Sequence, residues 1–318
     1  MAYHDVFNGD ADGICALHQL RLAEPQPSVL VTGTKREISL LCRVDAQPQD
    51  QVTVLDVSLD QNREALERLL LDGVRVRYFD HHFAGPLPAN ENLLACIDTA
   101  SDTCTSLLVN AALGGQFLIW AVVGAFGDNL DNSARSAAEP LELGHDALEQ
   151  LRELGILLNY NAYGASTADL HIAPDTLFRR LQPYQDPFAF IAEDDAFARL
   201  RTGYNQDMGQ ASSLLPEVEE HSHAVYILPA LPWARRIGGV FANRLTHSAP
   251  QRAHALLTCL PGGGYLVSVR APLNDKRGAD TLCRQFATGG GRRGAAGINC
   301  LPEEHLGDFV AKFKSAYS

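Results

Sequence analysis

The hydrophobic pattern changes character along the chain. Through the first half, short apolar runs such as Val6-Phe7, Val52 to Leu55 and Val74 to Phe79 alternate with longer amphipathic stretches. The runs predict strands over 4–8, 28–33, 52–57, 74–79 and 93–98, and the stretches predict helices over 12–23, 35–43, 60–72, 103–113, 117–126 and 145–159. Buried strands separated by helical segments imply βαβ units and a parallel sheet. Asp60 and Asp102 stand just before helical runs, as N-caps do. Trp120 on the most apolar helix reads as core.

Past position 183 the pattern loosens. Pro183 and Pro187 open a segment with one helix predicted from Phe188 to about Tyr204, then a polar stretch from Asn205 to Ser213; 184–221 reads as a connector. His221 and His223 at its end read as surface residues. The remainder predicts strands over 224–228, 253–260, 265–269 and 298–301, and helices over 233–246, 279–286 and 302–317. Pro261-Gly262-Gly263-Gly264 between two of the strands reads as a hairpin turn. The fold class is therefore α/β in two domains: a parallel-sheet domain over 1–183 and a smaller mixed α/β domain over 222–318, with a cleft expected between them.

The chemistry-bearing residues sit where those elements end. Asn8-Gly9-Asp10-Ala11-Asp12-Gly13 follows the first strand, Asp56 the third and Asp80-His81-His82 the fourth, and Gly127-Asp128-Asn129 follows the apolar helix. In a parallel sheet, ligands collect outside the carboxyl ends of the strands, so these residues meet in one crevice. Carboxylates and imidazoles brought together repel unless a cation sits among them. Oxygen and imidazole donors without thiolates suit Mn, Mg or Zn. Two ions sharing a carboxylate would activate a water and stabilise the attacking and leaving oxygens of a phosphoryl group. Taken singly, an Asp-x-Asp-Gly loop is ordinary turn chemistry and a His-His pair an ordinary surface feature; the joint placement is what points to a site.

Composition narrows the substrate. A net charge of −12 argues against binding along duplex nucleic acid. Yet 261–300 carries Arg270, Lys276, Arg277, Arg284, Arg292 and Arg293 against only Asp275 and Asp280, a local basic island. Its glycines Gly289, Gly290 and Gly291 would let backbone approach an anion. Seven cysteines with no CxxC pair read as mostly buried reduced thiols, and no stretch is apolar for long enough to span a bilayer, so a cytoplasmic protein without membrane partners is expected. Asp102 to Ser106 opens a helix and offers either simple capping or an anion-binding N-terminus. Tyr160 and Tyr163 read as packing.

Asp10-Ala11-Asp12-Gly13, the strand-end Asp56, Asp80-His81-His82 and Gly127-Asp128-Asn129, in that order, resemble the four motifs of the DHH phosphoesterases. Gly289-Gly290-Gly291-Arg292-Arg293-Gly294-Ala295-Ala296-Gly297 and the preceding Val267-Ser268-Val269-Arg270 resemble the associated DHHA1 domain. The resemblance implies two Mn ions, with Mg as a substitute: one on Asp10 and Asp56, with Asn8 as a weak ligand, the other on Asp12, Asp56, His81 and Asp128. It implies that Asp80 orients the site, that His82 faces the phosphate, and that Arg270, the Gly289–Gly291 loop, Arg292 and Arg293 grip the far end of the substrate. Two departures stand out: Val6 lies where many members have a metal-binding His, and Arg292 where the glycine loop usually has His. The activity implied is hydrolysis of short linear nucleotides, such as the dinucleotide pGpG, to mononucleotides. The alternatives are a 3′-phosphoadenosine phosphate phosphatase, a single-strand exonuclease and a non-catalytic nucleotide sensor. The oligomeric state is left open, a homodimer being one option.

Overall fold

The computed structural model describes residues 1–318, which form two compact units, Met1–Gly203 and Tyr204–Ser318. The first unit is built on five strands: β1 (Tyr3–Asn8), β2 (Val29–Gly33), β3 (Gln51–Leu55), β4 (Arg75–Asp80) and β5 (Leu93–Ile97). All are parallel, in the order β2-β1-β3-β4-β5. The chain first steps outward from β1 to β2, then crosses back to β3. That reversal leaves a crevice outside the carboxyl ends of β1 and β3, the place where open parallel sheets bind ligands.

Both faces of this sheet are covered, which is why its strands are continuous apolar runs rather than alternating ones. On one face Val6, Val52, Val54, Val76 and Tyr78 pack with Leu66, Leu69 and Leu70 of helix α2 (Arg63–Leu71). Helix α1 (Ala11–Ala23) packs with α3 (Thr105–Ala112) and α4 (Leu118–Gly127), and α4 in turn with α5 (Asp131–Ala138) and α6 (His145–Asn161). Trp120 and Phe126 of α4 are fully buried. Burying each such side chain contributes about 1.5–3 kcal/mol. The helices meet closely at two glycines. A Cβ on Gly127 would lie 2.2 Å from the Ala11 Cβ, and one on Gly155 2.4 Å from the Val123 carbonyl oxygen. This approach sets the end of α4 beside the start of α1. Helices α7 (Pro174–Leu181), α8 (Pro187–Glu193) and α9 (Asp195–Ser212) follow, and the boundary between the units falls within α9.

The second unit carries a six-stranded mixed sheet. Its elements are β6 (Val218–Glu219), β7 (His223–Leu228), α10 (Pro232–Ser248), β8 (Ala253–Cys259), β9 (Tyr265–Arg270), α11 (Ala279–Cys283), β10 (Gly289–Arg292), β11 (Ala295–Leu301) and α12 (Leu306–Tyr317). The order is β10-β11-β9-β8-β7-β6; β7 and β8 are parallel and the other pairs antiparallel. Leu257, Val267, Val269 and Ile298 pack with Phe309 and Phe313 of α12. Pro261–Gly264 makes the expected hairpin turn, the Leu260 N–H donating to the Gly264 carbonyl at 2.9 Å. No helix is long and apolar enough to cross a membrane.

Several local expectations are corrected. The segment 35–43 is not an α-helix; only Leu41–Arg43 forms a 3₁₀ turn. Its amides are taken elsewhere: the Lys35 N–H donates to the Ala162 carbonyl at 2.9 Å and the Leu41 N–H to Asn62 Oδ1 at 3.1 Å. Asp60 opens a 3₁₀ turn instead of capping α2, and Cys104, not Asp102, holds the N-cap position of α3. Helices α5 and α7 have no counterpart among the predicted elements, and the stretch from 187 to 212 is two helices rather than one helix and a polar coil. His223 is not a surface residue: it is 1% exposed in β7, edge-on to Phe313 at 5.9 Å. The glycine segment 289–292 is not a loop but a strand paired with β11. All seven cysteines are free, but only Cys15, Cys104 and Cys283 are buried.

Candidate metal centre

A cavity of about 470 Å³ opens at the carboxyl edge of the first unit's sheet. Asn8, Asp10, Asp56, His81, His82 and Asp128 line it, together with Lys35, Glu37 and Gln61. Six of the residues singled out in the sequence therefore converge, from β1, β3, β4 and α4.

Asp10 reaches the cavity as the N-cap of α1, where its Oδ1 accepts the Gly13 N–H at 3.1 Å. Asp56 follows β3 in a left-handed conformation, φ 57°, which is uncommon for a side-chain-bearing residue. Its own N–H, bonded to the Phe79 carbonyl at 3.0 Å, holds that geometry and aims the carboxylate inward. His81 Nε2 lies 3.4 Å from Asp56 Oδ1 and 3.9 Å from Asp128 Oδ2, and its Nδ1 faces the Thr103 carbonyl at 3.2 Å. With Nδ1 protonated toward that carbonyl, Nε2 presents its lone pair to the carboxylates. His82 Nδ1 instead bonds Asp80 Oδ1 at 2.7 Å, and the same oxygen accepts the His81 N–H at 2.9 Å. Asp80 is fully buried; it orients the His82 ring, braces the His81 backbone, and does not line the cavity.

Asp12 has a different setting. It is 1% exposed, and its two oxygens accept the N–H groups of Thr105 at 2.8 Å and Ser106 at 2.7 Å. The anion at the N-terminus of α3 is thus a carboxylate of the chain itself. Thr105 Oγ1 donates to Asp56 Oδ1 at 3.4 Å and links this anchor to the cavity wall.

The electrostatics call for a cation. Burial, with Asp10, Asp12 and Asp128 nearby, pushes Asp56 well above the usual carboxylate range. Burial raises Asp128 to about 6, against the pull of Lys35. Burial would raise Asp10 as well, but the Lys35 ammonium and the Gly13 N–H override it and hold Asp10 low. The hydrogen bond that His82 donates to the Asp80 carboxylate raises His82. Asp56, His81 and His82 bring one ligand atom each within 4.8 Å of one another. Hard oxygen and imidazole donors, with one buried carboxylate whose charge its acidic neighbours oppose, fit a divalent cation such as Mn.

Sequence reading missed Lys35. Its Nζ lies 2.6 Å from Asp10 Oδ2, 2.9 Å from Asn159 Oδ1 and 3.6 Å from Asp128 Oδ1. The signal was topological: Lys35 follows β2, which pairs with β1 and ends at the same edge. Tyr163 lies beside it, with Lys35 Nζ 5.7 Å from the ring centre, whereas Tyr160 is buried and bonds His171 Nε2 at 2.8 Å.

The remaining singled-out residues belong to the second unit. Arg292, Ala295 and Arg270 form one cross-strand row over β10, β11 and β9. Arg270 donates through Nε to Asn243 Oδ1 and through Nη1 to Ser268 Oγ, both at 2.9 Å. Arg292 and Arg293 are exposed. Two of the three glycines are explained by packing. A Cβ on Gly289 would meet the Cys283 carbonyl at 1.7 Å, and one on Gly291, at φ 136°, the Ala296 Cα at 2.5 Å; only Gly290 faces open space.

No protein-family profile matches the chain, and no curated protein matches it. Solved structures do. A structure of exonuclease RecJ bound to manganese matches with a TM-score of 0.65 at 17% identity, over 99% of this chain and 89% of that one. RecJ from Thermus thermophilus, in complex with Mn2+, matches with a TM-score of 0.64 at 18% identity, over 99% of this chain and 51% of that one, so the chain spans about half its length. CDC45 from Entamoeba histolytica matches with a TM-score of 0.50 at 10% identity, over 99% of this chain and 95% of that one. At these identities the likeness is one of fold: the chain has a RecJ-like two-domain α/β fold.

Proposed function

We propose that the protein is a divalent-metal-dependent phosphodiesterase that hydrolyses short linear nucleotides, pGpG among them, to mononucleotides. One observation carries the reading: Asp10, Asp56, His81, His82 and Asp128 converge on one cavity at the carboxyl edge of a parallel sheet, with Asp56 held in a left-handed conformation to do so. The fold is that of RecJ structures that contain manganese, which supports the choice of metal.

Asp56, His81 and Asp128 would hold the ion, with Asp12 bracing Thr105 behind Asp56. When bound, the metal would supply Lewis acidity, lowering the pKa of a water and offsetting charge on the phosphoryl oxygens. His82, raised by Asp80 and with its side chain 45% exposed, presents its outer ring nitrogen as a donor to a phosphoryl oxygen. Lys35 provides a second, fixed positive charge at the cavity wall. In the second unit, Arg270 and the exposed Arg292 and Arg293 would grip a substrate phosphate or base.

A cavity of about 470 Å³ suits a small ligand. A single-strand exonuclease is the second reading, favoured by the likeness to exonuclease RecJ. Initial rates with Mn on linear dinucleotides, a 20-mer RNA, single-stranded DNA, cyclic dinucleotides and 3′-phosphoadenosine phosphate separate these. The proposal requires linear dinucleotides to be cut fastest. Faster cutting of the long strands, or of phosphoadenosine phosphate, would replace it.

A further inference from the structure

We infer that the Lys35 ammonium stands in for the second cation of a two-ion centre, so that the cavity takes a single divalent ion, on Asp56, His81 and Asp128. The inference rests on the metal-dependent reading above and refines it.

Lys35 sits in a receptacle built for a cation. Its backbone N–H is tied to the Ala162 carbonyl at 2.9 Å, which fixes the start of the side chain. Its Nζ then meets Asp10 Oδ2 at 2.6 Å and the side-chain oxygen of the buried Asn159 at 2.9 Å, beside the Tyr163 ring. The side chain is only 22% exposed. A cation ligated by Asp10 would have to share this space with the ammonium.

The other donors on that side are already engaged. Asp10 Oδ1 caps α1 through the Gly13 N–H, and Asn8 Oδ1 accepts the Asp10 N–H at 3.3 Å. Val6, earlier on β1, is fully buried among apolar side chains and offers no imidazole.

On the far side the arrangement differs. His81 Nε2 stands 3.4 Å from Asp56 Oδ1 and 3.9 Å from Asp128 Oδ2. Ligands about 2.1 Å from one ion in octahedral array stand about 3 Å apart, so His81 Nε2 is a small closure away from sharing an ion with each of the two carboxylates. Asp128 joins the two halves, with Oδ1 toward Lys35 at 3.6 Å and Oδ2 toward His81. It therefore bridges two positive positions, as a carboxylate shared between two metals does, but one position is filled by the protein. An ammonium offsets anionic charge and donates hydrogen bonds to a phosphoryl oxygen; it does not ligate water.

The test counts ions in the full-length protein. Chelator-stripped protein is saturated with Mn, gel-filtered, and assayed for Mn per chain by elemental analysis and for Mn–Mn coupling by electron paramagnetic resonance. The wild type should hold one Mn per chain with the spectrum of an isolated ion. Lys35→Gln, which removes the charge and frees Asp10, should hold two, with the coupling expected of ions about 4 Å apart. Lys35→Arg should stay at one. Lys35→Met replaces Lys35→Gln if the latter does not fold. Two coupled ions in the wild type, or one ion in the folded charge-removed variant, would overturn the role of Lys35 while leaving a metal centre standing. No ion bound to the wild type would overturn the metal-dependent reading and this inference together.

Discussion

The cavity of the first unit and the glycine hairpin of the second both gather charge, by opposite means. In the cavity the charge is buried and tied. Asp10, Asp12 and Asp56 are at most 3% exposed, and each carboxylate meets a named donor: Lys35 and Gly13, two amides of α3, and Thr105. In the hairpin the charge is displayed. Arg292 and Arg293 are exposed on a short strand pair, and only Arg270, on the neighbouring strand, is pinned by Asn243 and Ser268. Groups that perform chemistry are held before substrate arrives, because low dielectric and fixed geometry strengthen their effect at the reacting atoms. Groups that merely attract a phosphate tolerate mobility, and each exposed one contributes little.

Activity should separate the two regions most sharply. His81→Ala removes an imidazole lying between two carboxylates and should lower kcat by about 1000-fold, roughly 4 kcal/mol. Arg292→Ala should cost less than about 10-fold. Steady-state rates on a linear dinucleotide check both. Similar losses would erase the distinction between fixed and displayed charge.

Packing offers the next test. Gly127→Ala sets a methyl 2.2 Å from the Ala11 Cβ and should destabilise by about 3 kcal/mol, because α1 and α4 have no room to separate. Gly290→Ala meets nothing within 4 Å and should shift stability by less than about 1 kcal/mol. Urea unfolding of the two variants gives both values. A tolerated Gly127→Ala would mean that the helix junction beneath the cavity is not tight.

Acid should act on both units by the same route. His18 is buried edge-on to Trp120, bonds the Tyr184 carbonyl through Nε2 at 2.8 Å, and is held down to about 4 by burial; burial and Arg252 do the same to His254 in the second unit. Above about 6.5 the folded and unfolded states are both neutral at His18, so its contribution is fully present. As pH falls from there toward 4 the unfolded state takes a proton that the folded state refuses, and stability drops, by up to about 3 kcal/mol. His18→Gln keeps a donor for Tyr184 but does not titrate, so its Tm should fall less between pH 7 and pH 4.5. An unchanged acid slope would rule out His18 as a source.

The last effect concerns Arg270. Arg270→Ala should lower kcat/KM for a dinucleotide by about 30-fold, roughly 2 kcal/mol, and leave bis-p-nitrophenyl phosphate nearly unaffected, since a small ester reaches only the metal. Equal losses on both substrates would mean that the Asn243–Arg270–Ser268 bonds serve the fold and that Arg270 does not touch substrate.

Much of the cavity was legible because two simple patterns coincide there. Apolar runs marked β1, β3 and β4, and each ended in Asp or His, so the parallel topology alone brought Asp10, Asp56 and His81 to one edge. What escaped were features set by contacts distant in sequence. Lys35 sits in a polar stretch that reads as a helix, yet its amide and ammonium are claimed by α6 and the residue after it. The grip of the α3 amides on Asp12 depends on a helix about ninety residues away. The left-handed turn at Asp56 has no glycine to announce it. His223 stood in a polar neighbourhood, and only the sheet buried it against α12. The triple glycine suggested a flexible anion loop because glycine reports close approach without saying to what; at Gly289 and Gly291 the answer is the chain itself.

The central claim is that the carboxylate cavity holds the metal that makes phosphodiester hydrolysis possible. Asp56→Asn tests it most directly. Asparagine is at ease at φ 57° and nearly isosteric, so the backbone turn survives while one anionic ligand is lost. Mn-dependent release of mononucleotide from a linear dinucleotide, measured for wild type and Asp56→Asn side by side, should show a rate in the wild type that vanishes on chelation, and a loss of about 1000-fold or more in a variant whose circular dichroism is unchanged. A folded Asp56→Asn protein that keeps a tenth or more of the wild-type rate, or a wild-type rate indifferent to chelation, would contradict the account.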